Sequence, residues 1–201
     1  TGVDMEMGEL MLAESLAGRG RPIDLILAHH PEGRALASLA EVMYLQPGAM
    51  APYGVRPTAA EALMDERARE VEISVGVSNS NRAVDAAALL GYNMMCCHTP
   101  CDNLVNKFIT ELMENEQPET VGEVCRLLRS LPEYAASARL NNPPNIVNGK
   151  PSRSAGKVFV DMTGGTGGPK EYARLLAEAG VGTMLCMHMR KDALDVAKEA
   201  H

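Results

Sequence analysis

The sequence predicts an α/β protein made of two βαβ-type lobes with largely parallel sheets. Three observations carry that prediction. Short runs of branched apolar residues occur without alternation, as in strands buried on both faces. Apolar residues at helical spacing separate those runs, so the chain reads strand, crossover, strand, as a parallel sheet requires. And the 201 residues are 46% hydrophobic and 22% charged, enough apolar side chain for a core. No stretch approaches the roughly 18 to 20 apolar residues of a membrane span, so no membrane partner is expected. With no Trp, two Phe and five Tyr against 13 Met, the core must come from Ala, Leu, Val, Ile and Met. Binding by stacking on aromatic platforms is not expected.

Residues 1–8 alternate like the end of a strand already under way, and a helix follows from Glu9 to about Ala17. Gly18-Arg-Gly-Arg-Pro22 is a turn that releases into the buried strand Ile23-Asp-Leu-Ile-Leu-Ala28, which ends at His29-His30-Pro31-Glu32-Gly33. Leu36, Leu39, Val42, Met43 and Leu45 then recur at helical spacing, and Gln46-Pro47-Gly48 is expected to stop them. A helix is predicted over Thr58 to Glu70. Asn79-Ser80-Asn81 supplies cap residues for another, Arg82 to Leu90, closed by Gly91. Asn93-Met-Met-Cys-Cys-His98 reads as the next buried strand. Asp102 to Glu116 reads as a helix with Leu104, Val105, Phe108, Ile109 and Leu112 on one buried face.

A helix from Val121 to Leu131 stops near Pro132, and the composition then shifts to Asn, Pro, Gly and Ser. The expected organisation is a first lobe at 1–137, a linker at 138–156 with one short strand at Asn145 to Val147, and a second lobe at 157–201. The second lobe comprises the strand Lys157 to Met162, a glycine-rich turn, a helix from Pro169 to about Ala179, the strand Val181 to Met187 and a last helix from Lys191 to His201. The chain is expected to be a portion of a longer one, truncated at its carboxyl end.

The net charge of -7 is the wrong sign for a protein that gains affinity by releasing counterions from phosphate backbones, so nucleic acid is not an expected partner. The five cysteines, an odd number with two adjacent, fit a reduced compartment better than a disulfide framework, and the expected location is cytoplasmic.

Two constellations could carry chemistry. His29-His30 stands at the carboxyl end of a predicted parallel strand, where ligands of open parallel sheets sit; both imidazoles can be swung toward one crevice there, and an ordinary polar strand end is the bland alternative. His98-Thr-Pro-Cys-Asp102 ends the next strand, with the competing reading that Asp102 merely caps a helix. Two His/Asp clusters at neighbouring strand ends together favour a metal site, because a carboxylate could bridge ions held by neighbouring imidazoles. Cys96, Cys97 and Cys101 surround His98, but their spacing is not that of paired zinc knuckles, and buried cysteines are commonly apolar filler. Cys125 and Cys186 read as core. The run Met162 to Lys170, with glycines at 164, 165, 167 and 168, is neither a phosphate-binding nor a dinucleotide loop by spacing. It reads either as a weak anion contact or as a tight turn where another backbone comes close. His188 reads as a polar strand end that could approach the same crevice, and Met94, Met95, Met184, Met187 and Met189 as core or subunit filler.

In order along the chain stand Asp24-Leu-Ile-Leu-Ala-His-His-Pro-Glu-Gly33, Asn81-Arg-Ala-Val-Asp-Ala-Ala87, Cys97-His-Thr-Pro-Cys-Asp-Asn103, Val160-Asp-Met-Thr-Gly-Gly-Thr-Gly-Gly168 and Ala179-Gly-Val-Gly-Thr183. This set resembles the Nif-three-like family, the GTP cyclohydrolase I type 2 homologues, and above all its short archaeal and bacterial members, over nearly the whole chain. The His-His-Pro and His-Thr-Pro-x-Asp segments are its specific part. The resemblance implies two α/β lobes with a two-metal crevice between them and a toroidal homohexamer. On the matching positions it implies His29 and His30 as ligands, one to each ion, Asp102 as the bridging carboxylate, and His98 in or beside the surrounding shell. The divalent metal could be zinc, iron, manganese or nickel. The family completes its centre with a Gly-His-x-x-Ser-Asp/Glu segment, which this sequence does not contain. Two functions are compatible with such a centre. One is a metal-dependent hydrolase, for instance one activating water for attack on a purine carbon of GTP, another nucleotide or a phosphoester. The other is a non-catalytic oligomeric metal-binding or regulatory protein.

Overall fold

A computed structural model of the chain describes residues 1–165 and 167–200. It is an α/β structure with two small parallel sheets. The first pairs β1 (Leu25–Ala28) with β2 (Asn93–Cys96), Leu25 opposite Asn93 and Ala28 opposite Cys96. The second pairs β3 (Lys157–Asp161) with β4 (Val181–Cys186), with a register shift between Lys157 and Val158. Helices α1 (Met7–Ala17), α2 (Arg34–Ala37), α3 (Gln46–Met50), α4 (Pro57–Gly76) and α5 (Arg82–Leu89) lie in or around the first crossover. Then come α6 (Thr99–Glu116), α7 (Val121–Ser130), α8 (Pro132–Arg139), α9 (Tyr172–Glu178) and α10 (Lys191–Glu199). No helix among the described residues is long and apolar enough to cross a membrane.

Packing shows what each segment is for. Leu10 and Ala13 of α1 and Ala83 and Ala87 of α5 are buried with Ile26 of β1. Two alanines on one face of α5, at helical spacing, let it lie close to that strand. The long crossover at 39–76 packs elsewhere: its Met43, Met50, Met64, Ala68 and Val71 form one core with Phe159 of β3 and Tyr172 and Leu176 of α9. Ile109 and Met113 of α6 and Val124 and Leu128 of α7 are buried with Val160, Met162 and Leu185. The β3–β4 sheet is therefore packed by side chains drawn from both sides of the 138–156 segment. Methionine fills much of this interior, as its abundance predicts. Two tyrosines gather around Phe159, which is edge-on to Tyr53 at 4.8 Å and to Tyr172 at 5.9 Å between ring centroids.

Several expected elements change shape. Gln46-Pro47-Gly48 does not stop a helix: a 3₁₀ segment, Leu39–Leu45, leads into α3, whose first turn accepts Pro47 because the amide missing there would have had no helical partner. By the same rule Pro132 opens α8, which runs into the expected linker, and 145–147 is not a strand. Asn81 occupies the cap position of α5 without a side-chain cap bond. α4 continues to Gly76, six residues past its expected end. On α6 only the far end of the predicted buried face is buried. Ile109 is inside, but Leu104, Val105 and Phe108 are exposed, at 69%, 43% and 52% of their surface. Residues 1–8 contribute a single parallel bridge, Gly2 to Ala28. His201, where the last helix is expected to end, lies outside the described residues, as does Thr166 of the glycine run.

Candidate metal centre

The carboxyl end of the first sheet fixes two histidines by backbone bonds on either side. Gly2 donates to the Leu27 carbonyl at 3.0 Å, His29 N–H to Gly2 at 2.9 Å, and His30 N–H to Val3 at 2.9 Å, while Cys97 N–H donates to Ala28 at 2.9 Å from the other strand. The chain then turns away through Gly33, whose φ is +60°. A Cβ there would stand 2.8 Å from the Val84 side chain on α5, so only glycine lets the turn close.

Helix α6 begins at Thr99, earlier than expected, and this settles the role of Asp102. His98 holds the cap position, and Asp102 lies one turn inside the helix, its N–H bonded to the His98 carbonyl at 3.0 Å. Asp102 therefore does not cap α6. Residues four apart share a helix face, and here the pair faces the strand end: His98 Nδ1 is 2.6 Å from Asp102 Oδ2, and His29 Nε2 is 3.4 Å from Asp102 Oδ1. The His29 and His98 rings stack at 4.3 Å between centroids, and His30 lies 5.5 and 5.7 Å from them. The nitrogens that the three imidazoles can offer lie within 4.8 Å of one another.

This donor set fits a cation. Asp102 is only 4% exposed, and both oxygens of its buried carboxylate face imidazole nitrogens of His29 and His98. A buried carboxylate charge is costly unless a cation compensates it. Burial pushes the His98 imidazole below its ordinary pKa, and the neighbouring His29 and His30 push the same way against the pull of Asp102. His98 is thereby favoured as the neutral ring that ligation needs. His30 is more open and is oriented from outside, its Nδ1 2.6 Å from Asp4 Oδ1. A carboxylate in that position fixes the tautomer that leaves Nε2 free to bind. Three histidines and an aspartate gathered in this way could bind a metal.

His29, His30 and Asp102 are thus brought together, and His98 joins them as a full member of the cluster. Cys96 stands apart from it, its sulfur accepting from the Glu32 amide at 3.1 Å. Cys97 and Cys101 face each other, and Cys125 and Cys186 are half-buried.

The glycine run lies instead at the carboxyl end of the second sheet, and its described residues meet side chains rather than another backbone. A Cβ at Gly164, where φ is +83°, would stand 2.5 Å from Gln46 Nε2, and one at Gly168 would stand 2.7 Å from the Tyr172 ring. Gln46 Nε2 donates to the Thr163 carbonyl at 2.7 Å, and the Tyr172 hydroxyl donates to Gln46 Oε1 at 2.6 Å, with Asp161 Oδ1 at 3.3 Å. His188 helps line a small recess there with Asp161 and Thr163. It belongs to this second strand end, not to the histidine cluster.

Sequence reasoning missed Asp4 and Gln46. Asp4 lies 26 residues from His30 and Gln46 lies 126 from Tyr172, so neither has a local motif. The only available signal for Asp4 was the strand-like start of the chain, which places it beside the histidine pair.

No family model matches the chain, and no curated protein matches it. Among solved structures it is similar to a NIF3 superfamily protein from Sphaerobacter thermophilus, at 26% identity and a TM-score of 0.85, over 98% of this chain and 71% of that one.

Proposed function

We propose, from the chain's place in the Nif-three-like family, that it binds two divalent ions across His29, His30, His98 and Asp102 and acts as a metal-dependent hydrolase on a nucleotide or phosphoester. One observation carries the reading: three imidazoles clustered within reach of one ion, two of them against a buried carboxylate. Asp102 turns one oxygen toward His29 and the other toward His98, the disposition a bridging carboxylate needs. Asp4 holds the His30 ring, and burial keeps His98 neutral. Divalent ions supply Lewis-acid polarisation and acidified water, and zinc, iron, manganese or nickel would suit imidazole and carboxylate donors. Hydrolytic opening of a purine, as the family's cyclohydrolase label suggests, is one reaction of this class.

A second reading has its own support. The helix that carries Asp102 exposes Leu104, Val105 and Phe108, a cluster suited to a subunit contact. In that reading the protein is a non-catalytic metal-binding or regulatory assembly, the homohexameric ring being its expected form, in the cytoplasm.

Metal analysis of the purified protein tests the site. His29→Ala, His30→Ala and Asp102→Ala should each cut bound metal at least about tenfold, and unchanged metal in all three rejects the ligand set. Hydrolysis of GTP, nucleotide and phosphoester panels with and without chelator tests the enzyme. Absence of chelator-sensitive turnover on every substrate rejects the hydrolase and leaves the assembly.

A further inference from the structure

We propose that Cys97 and Cys101 form a reversible dithiol–disulfide couple, a modification site for low-molecular-weight disulfides such as oxidised glutathione. Cys97 directly precedes the cap residue of α6, and Cys101 lies in the first turn of that helix. Their sulfurs are 3.6 Å apart, van der Waals contact for two thiols. A bond of about 2.05 Å requires the two sulfurs to close the remaining gap.

The two thiols are also unequal in access. Cys101 is exposed and Cys97 half-buried, so an incoming disulfide meets Cys101 first. The Cys101 thiolate attacks one glutathione sulfur. Its new S–S bond forms as the glutathione S–S bond breaks, and one glutathione leaves as a thiolate that takes up a proton. Cys97, having lost its own proton, attacks the Cys101 sulfur of the mixed disulfide, and the second glutathione leaves in the same way. The protein is oxidised by two electrons and oxidised glutathione is reduced to two thiols. Cys96, although adjacent to Cys97, is held by the Glu32 amide. The couple stands on this geometry.

The test is intact-mass and peptide analysis of the full chain after incubation with oxidised glutathione and an acid quench. The wild-type protein should become two hydrogens lighter, with a Cys97–Cys101 linked peptide that dithiothreitol removes. Cys97→Ser should stop at one glutathione on Cys101, and Cys101→Ser should react about tenfold more slowly or less. A wild-type protein that stops at the glutathione adduct, links either cysteine to Cys96, or stays unchanged while iodoacetamide still labels Cys101 overturns the proposal.

Discussion

The two sheets have the same construction and put their polar groups to opposite uses. Each is a pair of parallel strands with histidine or aspartate just beyond or at the carboxyl ends. At the β1–β2 end the polar groups converge on one another: three imidazoles cluster, and two of them face one buried carboxylate. At the β3–β4 end Gln46, Tyr172 and Thr163 close a network in which both ends of the Gln46 amide are used. A position at the end of parallel strands therefore does not by itself make a site. Convergent metal-ligating donors separate the end that can take an ion from the end whose amide and hydroxyl groups hold the fold together.

Substitutions can sharpen or break that contrast. The largest expected effect on folding is at Asp161, 8% exposed, whose carboxyl is pushed up to about 6 by burial, against the weaker opposing pull of Gln46, Tyr172 and His188. A folded-state pKa above the ordinary 3.8 means that the fold prefers the protonated acid. Its contribution is complete below about pH 4 and is lost as pH rises through about 6, a change of about 3 kcal/mol. The stability advantage of Asp161→Asn over wild type in urea unfolding should grow by that order between about pH 4 and pH 7; a pH-independent difference would contradict the burial argument. Next, Tyr172→Phe removes the donor to Gln46 Oε1 and should cost about 2 kcal/mol while leaving bound metal unchanged. A loss of metal in that variant would mean that the two ends are not separate.

Asp4→Ala releases the His30 ring and should weaken metal binding by about tenfold with no change in urea midpoint, measured by titration with a competing chelator. The smallest effect is the most discriminating. Asp102→Asn removes the buried charge but keeps an oxygen to face an imidazole, so the metal-free protein should hold its stability or gain up to about 1 kcal/mol. A loss of 2 kcal/mol or more, on the order of a broken buried pair, would make Asp102 a structural residue like Gln46.

Legibility in the sequence differs by element. The largely apolar run Ile23 to Ala28 announced a buried parallel strand, and so placed His29 and His30 at its end. The His98-Thr-Pro-Cys-Asp102 spacing announced the second half of the cluster, although the helix starts three residues sooner than Asp102 suggested, because Pro100 is as acceptable in a first helical turn as Pro47 and Pro132 are. What depended on distant partners stayed hidden. Gln46 looked like part of a stop signal and is instead buried against Tyr172. Leu104, Val105 and Phe108 have the spacing of a buried face, but spacing cannot say whether this chain or another surface covers it.

The first sheet pairs Leu25 with Asn93, partners roughly 70 residues apart, whereas the second joins partners roughly 25 apart. Closing the longer loop costs about 1 kcal/mol more in chain entropy, and pairings so distant in sequence form late. The β3–β4 hub should therefore be ordered in the folding transition state before β1 meets β2. Because His29 and His30 leave β1 while His98 and Asp102 follow β2, no partial fold of the early hub can hold the cluster. Metal uptake during refolding would then mark the last step of assembly, and its rate would report the docking of two strands.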